Sequence, residues 1–287
     1  MINDIFAKFD GAFAKNTIRA YRSDFNQYQN WCLQNKLEPI PATADIMANY
    51  VDYLSETNKS ATIRRRINSL GTVLKLSKNL DPTKDPEVIL ALKRMHRKIG
   101  RAQEQATPLT KSLLNQLLNK CDNSIMRIRN QVLLRLGYET MRRRSELCAF
   151  KFEDVDCAPN GKPIIKLNFS KTDQFGTGKV LPISVELLTL LEKWKKTVGD
   201  GGYILRSINK HGHIGDSLNP ASISTILKKL QKGLKAGSNQ QSLSGHSFRV
   251  GAAIDLLEQG ASLEKIMLRG GWQTDSTAMK YLRNWAF

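Results

Sequence analysis

At 287 residues, with 44 Lys plus Arg against 26 Asp plus Glu, the chain carries a formal charge of +18 that recurs along its length rather than in a tail. That pattern fits a body that binds a polyanion, as it would a basic ribosomal or scaffold protein, and the length favours two domains over one. Cys32, Cys121, Cys148 and Cys157 form no CxxC pair and have no ligand-spaced histidine, which argues against a disulfide framework or zinc site and fits a reducing cytoplasm. No apolar run approaches the roughly 18–20 residues of a membrane span, and MINDIFAKFDGAFAKN lacks the basic start and long apolar core of a secretion signal. Low-complexity segments and internal repeats are absent.

The first hundred residues read as helices. From Asn16, taken as an N-cap, Ile18, Tyr21, Phe25, Tyr28 and Cys32 recur in steps of three and four, one stripe of a helix. After Pro39 and Pro41, a second helix starts near Thr43 and buries Ile46, Met47, Tyr50 and Leu54. A third starts near Ser60, with Ile63, Ile67, Leu70 and Leu74 inward and Arg64, Arg65 and Arg66 on the other side. Asp85-Pro86, a cap followed by proline at the first helical position, opens a fourth. It ends in KRMHRKIGR, which crowds Lys93, Arg94, Arg97, Lys98 and Arg101. Two basic helices on a compact core suit double-stranded DNA, where a helix fills a major groove while cations neutralise phosphates on its rims. His96, within the basic run, reads as a surface residue.

Residues 101–108, RAQEQATP, are polar and aperiodic and read as a linker between a domain over 1–100 and another over 109–287. The second domain is mainly helical with one small sheet. Thr110 caps a helix bearing Leu113, Leu114, Leu117 and Leu118, and another runs from about Ile125 to Gly137. In TMRRRSELCAFKFEDV, Arg143 and Glu146 lie three apart on a short helical segment, with Leu147 and Phe150 facing the core. Residues 163–169 and 179–184 have strand character and are joined by the polar turn SKTDQFGTG. Lys171 opens that turn, and Lys179 is its rival as a lysine reaching DNA. A helix follows from Val185 to about Val198. His211-x-His213 sits in a loop without a third ligand, so no metal is expected. Asn219-Pro220 opens a helix to about Lys235, whose Lys228, Lys229 and Lys232 are further candidate DNA contacts.

The densest chemistry lies in SGHSFRVGAAIDLLEQGASLEKIMLRGGWQTDSTAMKY. His246 and Arg249 share a helix face, Gly270-Gly271-Trp272 is a turn presenting an indole N–H, and Tyr281 follows nine residues later. A cation and two donors can balance charge on non-bridging phosphate oxygens while a phenol attacks phosphorus. Taken singly, each residue is more often packing or a solvated neighbour; their joint order carries the reading.

Arg143-x-x-Glu146-Leu147, the hairpin lysine, GHSFRVGAA, GGW and the late tyrosine together resemble the tyrosine recombinases of the phage integrase family, and among them the Cre-type site-specific recombinases. The resemblance covers nearly the whole chain. It implies a two-domain DNA clamp, mainly α with a small β-sheet in the second domain: a helical core-binding domain followed by a catalytic domain. It assigns catalysis to Arg143, Lys171, His246, Arg249, Trp272 and Tyr281, supported by Glu146, with Lys179 the alternative lysine. The implied activity cleaves and rejoins DNA through a 3′-phosphotyrosyl intermediate and a Holliday junction, without metal, cofactor or ATP. The implied partners are DNA with an inverted-repeat site and a homo-tetramer on two sites, one dimer per site. A cytoplasmic, DNA-associated location in a bacterium, phage or mobile element goes with it. A non-catalytic DNA-binding protein and a type IB topoisomerase are the alternatives. Cre-type relatives dock a further short helix into a neighbouring protomer; here six residues follow Tyr281, and Trp285 and Phe287 are apolar enough to anchor.

Overall fold

The computed structural model describes residues 2–120, 124–170, 178–234 and 241–283, with side chains from Ile5 onward. It divides into two compact units, Met1–Glu104 and Gln105–Phe287. No helix among the described residues is long and apolar enough to cross a membrane.

The first unit contains α1 (Ile2–Lys8), α2 (Lys15–Gln34), α3 (Ala44–Ser55), α4 (Ser60–Leu76) and α5 (Pro86–Ile99). Their starts follow local chemistry. Thr43 Oγ1 accepts the Ile46 N–H and Asp85 Oδ1 the Glu87 N–H, each satisfying a donor the helix cannot. The 3.6-residue stripes point inward: Phe25, Tyr28, Cys32, Met47, Tyr50, Ile63, Ile67 and Leu70 are almost wholly buried. Two features depart from expectation. Asn16 is not the cap of α2, which starts one residue earlier; its side chain instead accepts from Arg19 Nη2 at 3.0 Å. The short α1 lacks a readable period, and tertiary packing holds it, Phe9 meeting Phe6, Phe13 and Tyr21 edge to face.

In the second unit, α6 (Lys111–Asn119), α7 (Ile125–Thr140) and α8 (Arg144–Ala149) precede an antiparallel sheet of β1 (Val155–Cys157), β2 (Pro163–Leu167) and β3 (Lys179–Pro182) in that order. Ile165 pairs with Val155 on one side and Leu181 on the other. Helices α9 (Val185–Val198), α10 (Ser222–Lys232), α11 (Ser247–Glu258), α12 (Leu263–Gly270) and α13 (Asp275–Leu282) follow. The main core joins α6, α7, the sheet, α9 and α10 through Leu117, Leu133, Ile165, Leu181, Leu187, Trp194 and Leu227. Thr110 Oγ1 caps α6 as expected, whereas β3 ends at Pro182 and Ser184, read as strand, caps α9 through its Oγ. The three-residue β1 was too short to announce itself. Asn219 accepts the Ala221 N–H and leaves α10 to start at Ser222; Lys235 lies outside the described residues.

One close contact sets the stage for the site. Gly137 lies inside α7, where a Cβ would come within 2.7 Å of the Phe248 ring. Glycine there lets α11 seat its fully buried Phe248 directly against α7, so that residues from 141 to 149 and from 246 to 258 share one neighbourhood.

Candidate active site

Met141 ends α7 in the left-handed region, at φ 54°. This strained turn swings its carbonyl towards α11, where it accepts from Arg249 Nη1 at 2.7 Å. Arg143 follows as the N-cap of α8 rather than on the helix itself, and Glu146 is the third residue inside. Glu146 binds Arg143 twice, Oε2 accepting its backbone N–H at 3.0 Å and Oε1 its Nη1 at 2.8 Å. Burial alone would raise the Glu146 carboxyl, but these hydrogen bonds and the Arg143 charge outweigh it and carry it below the usual value. The i,i+3 pair read from sequence therefore fixes the cap and the guanidinium together.

Arg249 is 1% exposed, yet its direct hydrogen-bond anchor is a neutral carbonyl. Its guanidinium carbon lies 5.0 Å from the Trp272 ring centroid and 5.6 Å from that of Tyr281. The two rings face each other at 4.7 Å with an interplanar angle of 31°. Burial holds the Arg249 pKa down and Arg143 adds to this, while the nearby Tyr281 phenol opposes it. His246 is the residue just before α11 and makes no side-chain cap bond; desolvation, then Arg249, Arg144 and Arg143, lower its pKa. Arg143, His246, Arg249, Trp272 and Tyr281 thus form one electrostatic neighbourhood.

The GGW turn delivers its indole by an exit that only glycine permits. Gly271 ends α12 at φ +66°, and a Cβ on it would lie 2.6 Å from Arg142 Nη1; one on Gly270 would strike the Trp272 ring at 2.4 Å. Trp272 N donates to Met267 O, closing the helix end and burying the indole. Trp272 Nε1 and Arg249 Nε are both buried without a hydrogen-bond partner among the described residues. Two orphan donors beside a buried cation and a phenol suit an anion with several acceptor oxygens.

Arg142 went unread in the sequence. Only 2% exposed, it donates through Nε to Thr140 O at 2.8 Å and through Nη2 to Arg269 O. Burial, then the Arg249 charge, pushes its pKa down to about 10. The available signal was the run Arg142-Arg143-Arg144 just ahead of a capping glutamate, but nothing in the run says which arginine turns inward.

Lys171 lies outside the described residues, as do Trp285 and Phe287. Lys179, at the start of β3, donates its ammonium to Leu268 O, and its pKa is lowered by burial and then by Arg142. His211 and His213 sit in an exposed loop folded on Asn209 Oδ1, and no cluster of metal-ligating residues occurs among the described residues.

The basic residues expected to face DNA divide. Arg64, Lys93, Arg97, Lys98 and Arg101 are exposed on the first unit, and Lys228, Lys229 and Lys232 on α10. Arg65, also exposed, bonds Asp24, and Arg94 lies 3.6 Å from Asp52. Arg66 corrects the sequence reading: its side chain is 16% exposed and turned to Asp24 at 4.0 Å, because that buried carboxylate on α2 needs cations from α4. His96 likewise has a buried Nδ1 without a partner among the described residues, and burial, Arg101 and Arg64 lower its pKa.

With this geometry established, comparison with known proteins is specific. Residues 107–286 match the phage integrase family. An integrase/recombinase XerD homolog of Selenomonas ruminantium is 28% identical over 281 residues, 94% of this chain and 82% of that protein. Recombinase Cre of Escherichia phage P1 is 27% identical over 292 residues, 95% of this chain and 85% of that protein. In fold, the chain resembles Tn1549 transposon integrase solved with transposon right-end DNA (TM-score 0.69, 15% identity, 98% of this chain and 94% of that one). It also resembles a lambda integrase fragment solved as a dimer on a COC′ core site (TM-score 0.67, 15% identity, 97% and 94%). The family match over residues 107–286 and the sequence relatives show that the chain belongs to the phage integrase family, as a tyrosine recombinase.

Proposed function

We propose that this recombinase exchanges DNA strands at a defined site, with Tyr281 as nucleophile and Arg143, His246, Arg249 and Trp272 around the scissile phosphate. The observation that carries the reading is Arg249, a buried cation anchored on a neutral carbonyl, with its Nε and the Trp272 indole unpartnered among the described residues and the Tyr281 ring about it. Phenols are poor nucleophiles near neutral pH, so cations that stabilise the phenolate as it forms are required. In the forward step the Tyr281 oxygen bonds to phosphorus and the bond to the 5′-oxygen breaks. The two guanidiniums and the indole N–H meet the charge on the five-coordinate phosphorus, taking the electrostatic part that a metal plays elsewhere.

The leaving 5′-oxygen needs a proton, for which Lys171 is the candidate acid and Lys179 its rival; His246 can exchange a proton beside the phosphate. The product is a 3′-phosphotyrosine and a free 5′-hydroxyl. One phosphodiester is traded for another, so a 5′-hydroxyl from a second duplex can reverse the step without ATP. Two such exchanges pass through a Holliday junction. A dimer on an inverted repeat, a tetramer on two sites, a core-binding role for the first unit and a cytoplasmic setting complete the proposal.

The test is a covalent-adduct gel with DNA selected from a random library. Wild type should give a protein–DNA adduct on an inverted repeat, and Tyr281→Phe none while still binding. An adduct persisting in Tyr281→Phe would move the nucleophile elsewhere. Relaxation of supercoils regardless of sequence would make the protein a topoisomerase instead.

A further inference from the structure

The first stretch of the second unit, residues 105–111, is fastened at every second residue to the segments that bear the proposed chemistry. Gln105 Nε2 donates to the backbone carbonyl of Tyr281 at 2.5 Å. Thr107 Oγ1 donates to Gln241 O at 3.1 Å, in the stretch leading to His246. Leu109 N donates to Ser247 O at 2.9 Å, at the start of α11. A Cβ on Gly251 would lie 2.0 Å from the Leu109 carbonyl oxygen, so glycine on α11 is what lets this backbone lie flush against the helix. Lys111 N closes the series on Asp255 Oδ2 at 2.7 Å, and the same oxygen accepts the Tyr138 hydroxyl at 2.6 Å.

Among these contacts the one at Gln105 stands apart chemically. The others hold α11 and the turn before it, where Arg249 and His246 originate. Gln105 holds α13, and it does so at Tyr281 itself. That carbonyl belongs to the last turn of α13, where carbonyls lack intrahelical donors. The other end of the amide, Oε1, is buried with no hydrogen-bond partner among the described residues. Burying an unmet acceptor is unfavourable, so the side chain holds this position for the single bond that its NH₂ end makes. Ala106, next in the chain, packs against the small cluster that contains Trp272, as Tyr281 does.

We infer that Gln105 is a positioning residue for the nucleophile: by bonding the Tyr281 carbonyl, it ties the helix carrying the phenol to the same strap that holds the helix carrying Arg249. The inference rests on Tyr281 being the nucleophile. The Gln105 amide bonds the Tyr281 backbone rather than a reacting atom. It acts by fixing where the Tyr281 backbone lies relative to α11, and an error of about 1 Å there costs about 10²-fold in an attack needing in-line geometry.

The test uses the full chain and the DNA site on which wild type forms its adduct, with single-turnover adduct formation at saturating DNA and DNA affinity measured separately. Gln105→Ala should slow adduct formation at least tenfold and leave affinity within twofold. Gln105→Glu, the same size but ionised near neutral pH, should be slowed at least as much. Its rate relative to wild type should then recover as the pH falls and the carboxyl gains a proton to donate, while Gln105→Ala shows no recovery. That pH-dependent rescue separates a donor role from loss of packing. Equal rates for wild type and Gln105→Ala, or a Gln105→Glu deficit that ignores pH, overturn the inference. If wild type itself gives no adduct, the reading of Tyr281 fails instead, and the two failures are distinguishable.

Discussion

The two units hold their arginines in opposite ways. In the first, cations meet carboxylates: Arg65 and Arg66 converge on the buried Asp24, Arg94 on Asp52 and Lys59 on Glu104. In the second, most arginines around the site are held by backbone carbonyls, Arg249 by Met141, Arg142 by Thr140 and Arg269, and Arg269 by Glu139, while Arg143 is the exception, paired with the Glu146 carboxylate. A carboxylate fixes a guanidinium and cancels its charge, whereas a carbonyl fixes it and leaves the charge in place. The formal +18 therefore says little about where positive potential is available; the chemistry of each arginine's partner decides that.

The contrast can be broken by substitution. If the carbonyl-held charge is what serves the phosphate, Arg249→Ala should lower the rate of adduct formation by about 10² or more while DNA binding survives on the remaining cations. Single-turnover cleavage with a parallel affinity measurement checks this, and a near-wild-type rate would remove Arg249 from the clamp. In the first unit the expected effect is on stability. Asp24→Asn strands the mostly covered Arg66 and should destabilise that unit by about 2 kcal/mol, less than for a fully buried pair because Arg65 is half exposed. Chemical denaturation followed by circular dichroism reads it, and an unchanged midpoint would mean that Asp24 does not hold Arg66.

Exposed cations sharpen the comparison further. Replacing Lys93, Arg97 or Lys98, none of which has a carboxylate partner among the described ion pairs, should reduce the slope of log affinity against log salt by about 0.9 for each phosphate left without its cation. Arg66→Gln should change that slope little, since its guanidinium faces Asp24. The smallest effect concerns pH. A histidine whose folded-state pKa lies under its ordinary value binds fewer protons folded than unfolded. Stability is then lost as pH falls through about 6.5 towards the folded value. His246 and His96 are both of this kind, so His246→Gln should lessen the fall in Tm between pH 8 and pH 5 without abolishing it. An identical fall in wild type and variant would show that neither desolvation nor Arg249, Arg144 and Arg143 hold the His246 pKa down.

Sequence alone determined whatever depends on neighbours a few residues away. Thr43, Asp85 and Thr110 cap helices where their positions say, because an N-cap oxygen reaches a donor only two or three residues on. The stripes through Phe25, Ile63 and Leu117 are buried for the same local reason, and Arg143 with Glu146 is a pair within one cap. Tertiary structure decided what depends on partners far along the chain. Which arginine of Arg142-Arg143-Arg144 turns inward follows from the Arg269 carbonyl more than a hundred residues later, and Arg66 follows from Asp24 on another helix. Likewise Gln105 looked like part of a featureless linker, and only folding brings its amide to Tyr281. A residue's type and spacing announce what it is able to bind; packing alone settles whether a carboxylate, a carbonyl or an open donor site lies within its reach.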